Sequence, residues 1–193
     1  MSPDEQLGLH DILSIVLASA AFLASGLALA ARGRRVWLVL AGAVVIVAGI
    51  LVAALVPADG AAMWSPVILA VAFAALGTIG GSPAVALVLR LATQGSVELG
   101  SHGGILVTDP TQPKPRTREV LRGGATIGYL ERIALIGAVL AGQAVAIAVI
   151  VAIKGLGRFS ELETSEARER FIIGTLASLI WAGGAVAATG VGW

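Results

Sequence analysis

The chain has 193 residues, 57% hydrophobic and 13% charged, with a formal net charge of +1 and a mean hydropathy of +0.92. Soluble domains carry about 25% charged residues, so this composition leaves too little polar surface for a water-soluble fold, and the near-neutral charge argues against a nucleic-acid partner. Cysteine is absent, which excludes disulfides and thiolate metal sites, and His10 and His102 stand in no metal-ligand spacing, so no metal or cofactor is expected.

Five segments are long, apolar and uncharged: Ile12–Ala31, Val36–Val56, Val67–Leu89, Ile133–Ile153 and Phe171–Trp193. A helix rises about 1.5 Å per residue, so about 20 residues cross the roughly 30 Å of bilayer hydrocarbon. Backbone groups in lipid must be satisfied internally, so these runs read as helices despite their valine and isoleucine. The expected fold is all-α: one membrane domain over residues 1–193, a bundle of about five transmembrane helices. The first run reads as a retained helix and not a signal peptide, since Asp4, Glu5 and Asp11 stand where a basic region belongs.

Orientation follows from the basic residues, because positive loops resist translocation. Arg32, Arg34 and Arg35 follow the first helix, whereas the turn at Pro57–Ala62 carries only Asp59. Arg90, Lys114, Arg116, Arg118, Arg122 and Arg132 follow the third. Five spans then put the N-terminus outside, the long loop inside and the C-terminus inside. Lys154, Arg158, Arg168 and Arg170 fall outside in this scheme, against the rule, and a re-entrant fourth segment would reverse the last third of the chain.

The third segment contains Gly77-Thr78-Ile79-Gly80-Gly81-Ser82-Pro83. Ser82 reads as an N-cap and Pro83 as a first helical position, which predicts a break at Gly80, Gly81, Ser82 and Pro83 with a restart over Ala84–Leu91. Such a break exposes backbone groups able to hold an ion at membrane depth; a glycine-rich kink that admits a neighbouring helix accounts for the same residues.

The loop at 92–124 is polar and divided in character. Ser96–Gly100 and Gly104–Thr108 read as a short β-hairpin about a Ser101–Gly104 turn. Asp109–Arg122, with three prolines, reads as extended and basic. Lys114, Arg116, Arg118 and Arg122 suit anionic lipid headgroups, at about 1 kcal/mol per charge near the surface, or serve only as a positive-inside anchor.

The last third holds the most specific pattern. Glu131 and Arg132 sit about two turns into a helix starting near Ala125, Gln143 lies near the middle of the fourth span, and Lys154 and Arg158 share a face, with Glu161 near enough to pair. Thr175 and Ser178 of the last helix are placed to hydrogen-bond to Gln143. Glu131 and Lys154 are 23 residues apart, about 34 Å along one helix, which predicts two polar girdles rather than one site. Ionisable groups at membrane boundaries are functional candidates, although snorkelling and salt bridges between helices explain them too.

The pattern IGYLER, Gln143, AIKGLGRFSEL and ERFIIGTLASLIWA resembles the C-terminal membrane region of a domain-of-unknown-function family of small bacterial inner-membrane proteins. The resemblance rests on Ile127, Gly128, Leu130, Glu131, Arg132, Lys154, Arg158, Phe159, Glu169, Phe171, Gly174, Thr175, Leu176 and Ser178. It covers roughly the last 70 residues; the family's polar N-terminal helix is not reproduced around His10-Asp11. It implies a bacterial inner membrane and names no reaction. The abundance of alanine, glycine, valine and arginine points the same way, to a GC-rich bacterial genome.

No P-loop, GxSxG or aspartate cluster is present, and neither histidine has a serine assigned beside it. The sequence therefore predicts no catalytic residue. The leading expectation is a non-enzymatic accessory, scaffold or self-associating subunit whose small-residue faces, Gly42/Gly49, Gly77/Gly81, Gly137/Ala141/Gly142 and Gly174/Gly183, meet another subunit or copy. A small channel or transporter with a broken third helix is the alternative, and a lipid-modifying enzyme using Glu131 a weaker one.

Overall fold

The computed structural model describes residues 8–30, 36–56, 61–92, 105–109, 116–120, 124–143, 145–157 and 165–190. Six helices follow one another: α1 Leu9–Ala30, α2 Val36–Leu55, α3 Trp64–Ala92, α4 Gly124–Leu140, α5 Ala146–Gly157 and α6 Ser165–Ala187. Four of them, α1, α2, α3 and α6, are long and apolar enough to cross a membrane, which marks a membrane protein. Between α3 and α4, β1 (Ile105–Asp109) pairs antiparallel with β2 (Arg116–Val120). That pairing differs from the expected hairpin: β1 joins the chain that follows it, and 96–100 lies outside the described residues.

Apolar burial contributes little to helix association in lipid, where close packing of small residues and hydrogen bonds between helices take over. The contacts fix the bundle's directions. Asp11 and Ser14 of α1 meet Ala62 and Ser65, so α1 and α3 are parallel. Along α3 and α6 the partners run oppositely, from Gly77 with Ala185 through Gly80 with Trp181 to Ser82 and Ser178 sharing Arg132, so α6 is antiparallel to α3. Trp181 Nε1 donates to the Leu76 carbonyl at 3.1 Å across that interface. Helix α2 lies over both, with Gly42 against Trp181 and Gly49 against Phe73 and Ala188. Phe73 and Leu76 centre the main core, which Leu17, Ala21 and Ile46 complete.

Two expectations fail here for identifiable reasons. Helix α3 is continuous through Pro83. Proline removes one helical N–H, the one the Ile79 carbonyl would accept, and helices in a membrane bundle tolerate such a defect. Arg132 donates from Nε to the preceding carbonyl, Thr78, at 2.8 Å, which ties the helix to α4 at this point.

The expected span Ile133–Ile153, by contrast, is two helices. Gln143 N–H bonds to the Ala138 carbonyl at 2.7 Å and Gly142 N–H to Val139 at 2.9 Å, a Schellman ending to α4, with Gly142 in the left-handed conformation at φ 71°. The chain then reverses into α5. Glu131 lies 12 residues before Gln143 and Lys154 11 after it, so the two arms meet at one level. Arg132 contacts Ser178, and Leu135 and Ile136 pack with Ala182 and Val186, so α4 and α6 are parallel and both start from the end of the bundle where α3 finishes.

Candidate functional site

The predicted site residues separate into three groups. Arg158, Glu161, Lys114 and Arg122 lie outside the described residues, whereas Arg116 and Arg118 lie on β2. Gln143 is exposed at the α4–α5 reversal and joins neither Thr175 nor Ser178, which corrects the expected cluster. Glu131, Arg132, Lys154, Thr175 and Ser178 come together with Ser82, and so does the Thr78 carbonyl.

Lys154 Nζ donates to Glu131 Oε2, forming an ion pair that closes the α4–α5 hairpin. This overturns the two-girdle reading. A spacing of 34 Å holds only along an unbroken helix, and Gly142 breaks it. The ammonium also lies 5.8 Å from the centroid of the Phe171 ring, which brings the start of α6 to the hairpin.

Arg132 sits one residue further on, 3% exposed. Its position, 8 residues past the start of α4, puts it about 12 Å along that helix. Nε donates to Thr78 O, one terminal nitrogen to Ser178 Oγ at 3.3 Å and the other to Ser82 Oγ at 2.8 Å. The guanidinium also lies 5.0 Å from the Tyr129 ring centroid. All of these partners are neutral. The neighbouring carboxylate, Glu131, is paired with Lys154, so among the described residues the group holds two cations and one carboxylate, an excess of one positive charge.

Glycine makes the seat for this side chain. A Cβ on Gly81 would stand 2.5 Å from Arg132 Cδ, and one on Gly128 would stand 3.2 Å from a terminal nitrogen. The predicted break residues Gly80, Gly81, Ser82 and Pro83 thus serve a side chain from another helix instead of interrupting their own.

Beside the guanidinium, α4, α5 and α6 enclose a cavity of about 10 Å³, the room one water needs. Thr175 Oγ1 on its wall is buried and has no hydrogen-bond partner. On the outer side of the hairpin an apolar groove of about 370 Å³ runs between α4 and α5, past the same ion pair.

The opposite half of the bundle holds a second polar cluster, which the sequence does not reveal. His10 Nδ1 lies 3.2 Å from Ser65 Oγ and 3.4 Å from Ser14 Oγ, and the two hydroxyls are 2.8 Å apart. Asp11, buried, accepts the Ala62 N–H at 3.0 Å. Histidine and serine therefore do meet, a pairing the sequence reading left unassigned. Both serines are fully buried and Asp11 bonds backbone rather than imidazole, so among the described residues the group has neither the accessible nucleophile nor the orienting carboxylate of a hydrolase. Its helical spacing, His10 and Ser14 one turn apart, was the signal available.

Comparison of the chain with family models, curated proteins and solved structures finds no match.

Proposed function

We propose that this chain is a small membrane channel or transporter, with its path between α3, α6 and the α4–α5 hairpin. The observation that carries the reading is Arg132, a buried guanidinium whose bonded partners are all neutral. A charge buried inside a membrane bundle is costly, and such groups mark solute pathways.

The accessory reading also loses its main support. Gly42, Gly49, Gly77 and Gly81, expected to meet a partner, meet side chains of this same chain within about 3 Å. Gly137 and Gly183 meet nothing within 4 Å, which sustains self-association as a second reading. Light scattering of the detergent-solubilised protein tests it, and a lone monomer at every concentration removes it.

Four crossings plus a hairpin leave both termini on one side, the outside by the positive-inside rule, in place of the expected inside C-terminus. Lys154, Arg158, Arg168 and Arg170 then join the other basic residues inside, and the anomaly of the five-span scheme disappears. Lys114, Arg116, Arg118 and Arg122 would face anionic headgroups on that side. A cysteine introduced at Ser160 should react only with membrane-permeant reagents; labelling by an impermeant one from outside overturns the topology. The residues behind the family resemblance include Gly128, Glu131, Arg132, Lys154, Phe171, Thr175 and Ser178, all at or beside this one site, which favours kinship with that bacterial inner-membrane family.

In proteoliposomes the wild-type protein is expected to dissipate the gradient of a small charged solute, and Arg132→Gln to stop it. Absence of flux for every member of a panel of inorganic cations and anions would refute the transport reading.

A further inference from the structure

We propose that the cavity beside Arg132 is a binding site for a small monovalent anion of halide size, an assignment that deepens the transport reading by naming its solute. Three features determine the ligand. The first is charge. Among the described residues Glu131 and Lys154 neutralise each other and the Arg132 charge is left over, so one negative charge would balance the group.

The second is hydrogen-bonding capacity. A guanidinium has five N–H donors, and Arg132 spends one each on Thr78, Ser82 and Ser178. Two donors remain, and Thr175 Oγ1, the buried hydroxyl without a partner, lines the same cavity. Ser178, whose oxygen already accepts from Arg132, is free to turn its own proton toward that space. These groups form a set of donors around a cavity that Leu135, Ile150, Val151 and Leu179 line with hydrocarbon and that the Glu131 carboxylate, held by Lys154, also lines. A cation would meet two positive charges there, Arg132 and Lys154, against that one carboxylate.

The third is size. Room for one water-sized atom admits a monatomic anion with slight expansion and is far too small for a phosphate headgroup. Expansion is inexpensive on one side, because α5 contributes Ile150, Val151 and Lys154 to the wall and has no buried residue.

The experiment is chloride binding to the full-length protein in mild detergent, read as broadening of the chloride NMR signal while chloride replaces gluconate at constant sodium. Saturable broadening is expected for wild type. Arg132→Gln should abolish it, but that change also removes three bonds between helices. Thr175→Val therefore tests the assignment independently: it deletes a hydroxyl that bonds nothing in the protein, should unfold at the wild-type temperature, and should weaken chloride binding about tenfold, the value of one hydrogen bond to a charged group. Broadening that is absent, does not saturate, or is unchanged in both variants overturns the anion site. Chloride bound in detergent without flux in proteoliposomes keeps the site and defeats transport. Cation flux without chloride binding overturns the site and leaves transport standing.

Discussion

The two polar clusters of this bundle are built from similar parts and come out differently. At the start of α1, His10, Ser14 and Ser65 bond one another, and Asp11 takes a backbone N–H near the beginning of α3. Each of these side chains has a partner within the cluster or the adjoining backbone, so the group locks α1 to α3. In the other half, Arg132 ties three helices together, yet leaves two donors, one charge and the hydroxyl of Thr175 without partners. Saturated polar groups in a membrane bundle hold helices in place; unsaturated ones carry a cost that packing alone does not explain. The difference between anchor and site lies in the unused hydrogen bonds.

The largest expected effect would sharpen that contrast at its charged end. Lys154→Met leaves the Glu131 carboxylate, only 16% exposed, without its cation, and should destabilise the fold by about 3 kcal/mol. Adding Glu131→Met should recover most of that loss in detergent unfolding, since a nonpolar pair of similar volume replaces both charges. No recovery would show that the pair does more than close the hairpin. Next comes Gly81→Ala, whose new methyl would stand 2.5 Å from Arg132 Cδ. The arginine must then leave Thr78 and Ser82, at about 2 kcal/mol, and solute flux should fall with it. Asp11→Ala should cost a similar amount, about 2 kcal/mol, by leaving the Ala62 N–H unpaired, but should leave flux per folded molecule unchanged.

How much of this was legible in the sequence depends on the scale of the signal. Hydropathy finds α1, α2, α3 and α6 because each fills a bilayer's length with apolar residues. The same measure averages across the reversal after α4, where Leu140-Ala141-Gly142-Gln143-Ala144 is apolar except for one glutamine. The readable clue was a glycine followed by the run's only strongly polar residue, the C-cap pattern of a helix end. At Ser82-Pro83 the error is reversed. Local chemistry there favours a helix start, yet the helix runs on through Pro83, with a side chain 50 residues away in sequence bonded to Ser82. The members of the Arg132 site were visible as oddly placed polar residues, but their meeting was not, because it depends on that one reversal. His10 and Ser65 are 55 residues apart, and nothing local predicts their contact.

The smallest effect tests the anchoring cluster from inside. Ser65→Ala removes the bond from Ser65 Oγ to Ser14 Oγ and the contact with His10 Nδ1. Ser14 and His10 remain 3.4 Å apart and take up each other's hydrogen-bonding capacity, so the loss should be that of a single neutral hydrogen bond, about 1 kcal/mol. Unfolding in detergent reads the stability, and flux in proteoliposomes reads the function. A drop of about 1 kcal/mol with unchanged flux fits an anchor whose remaining members compensate. Flux lost without loss of stability would make His10 part of the path and erase the distinction between the two clusters, since a solute would then meet both in crossing the bundle.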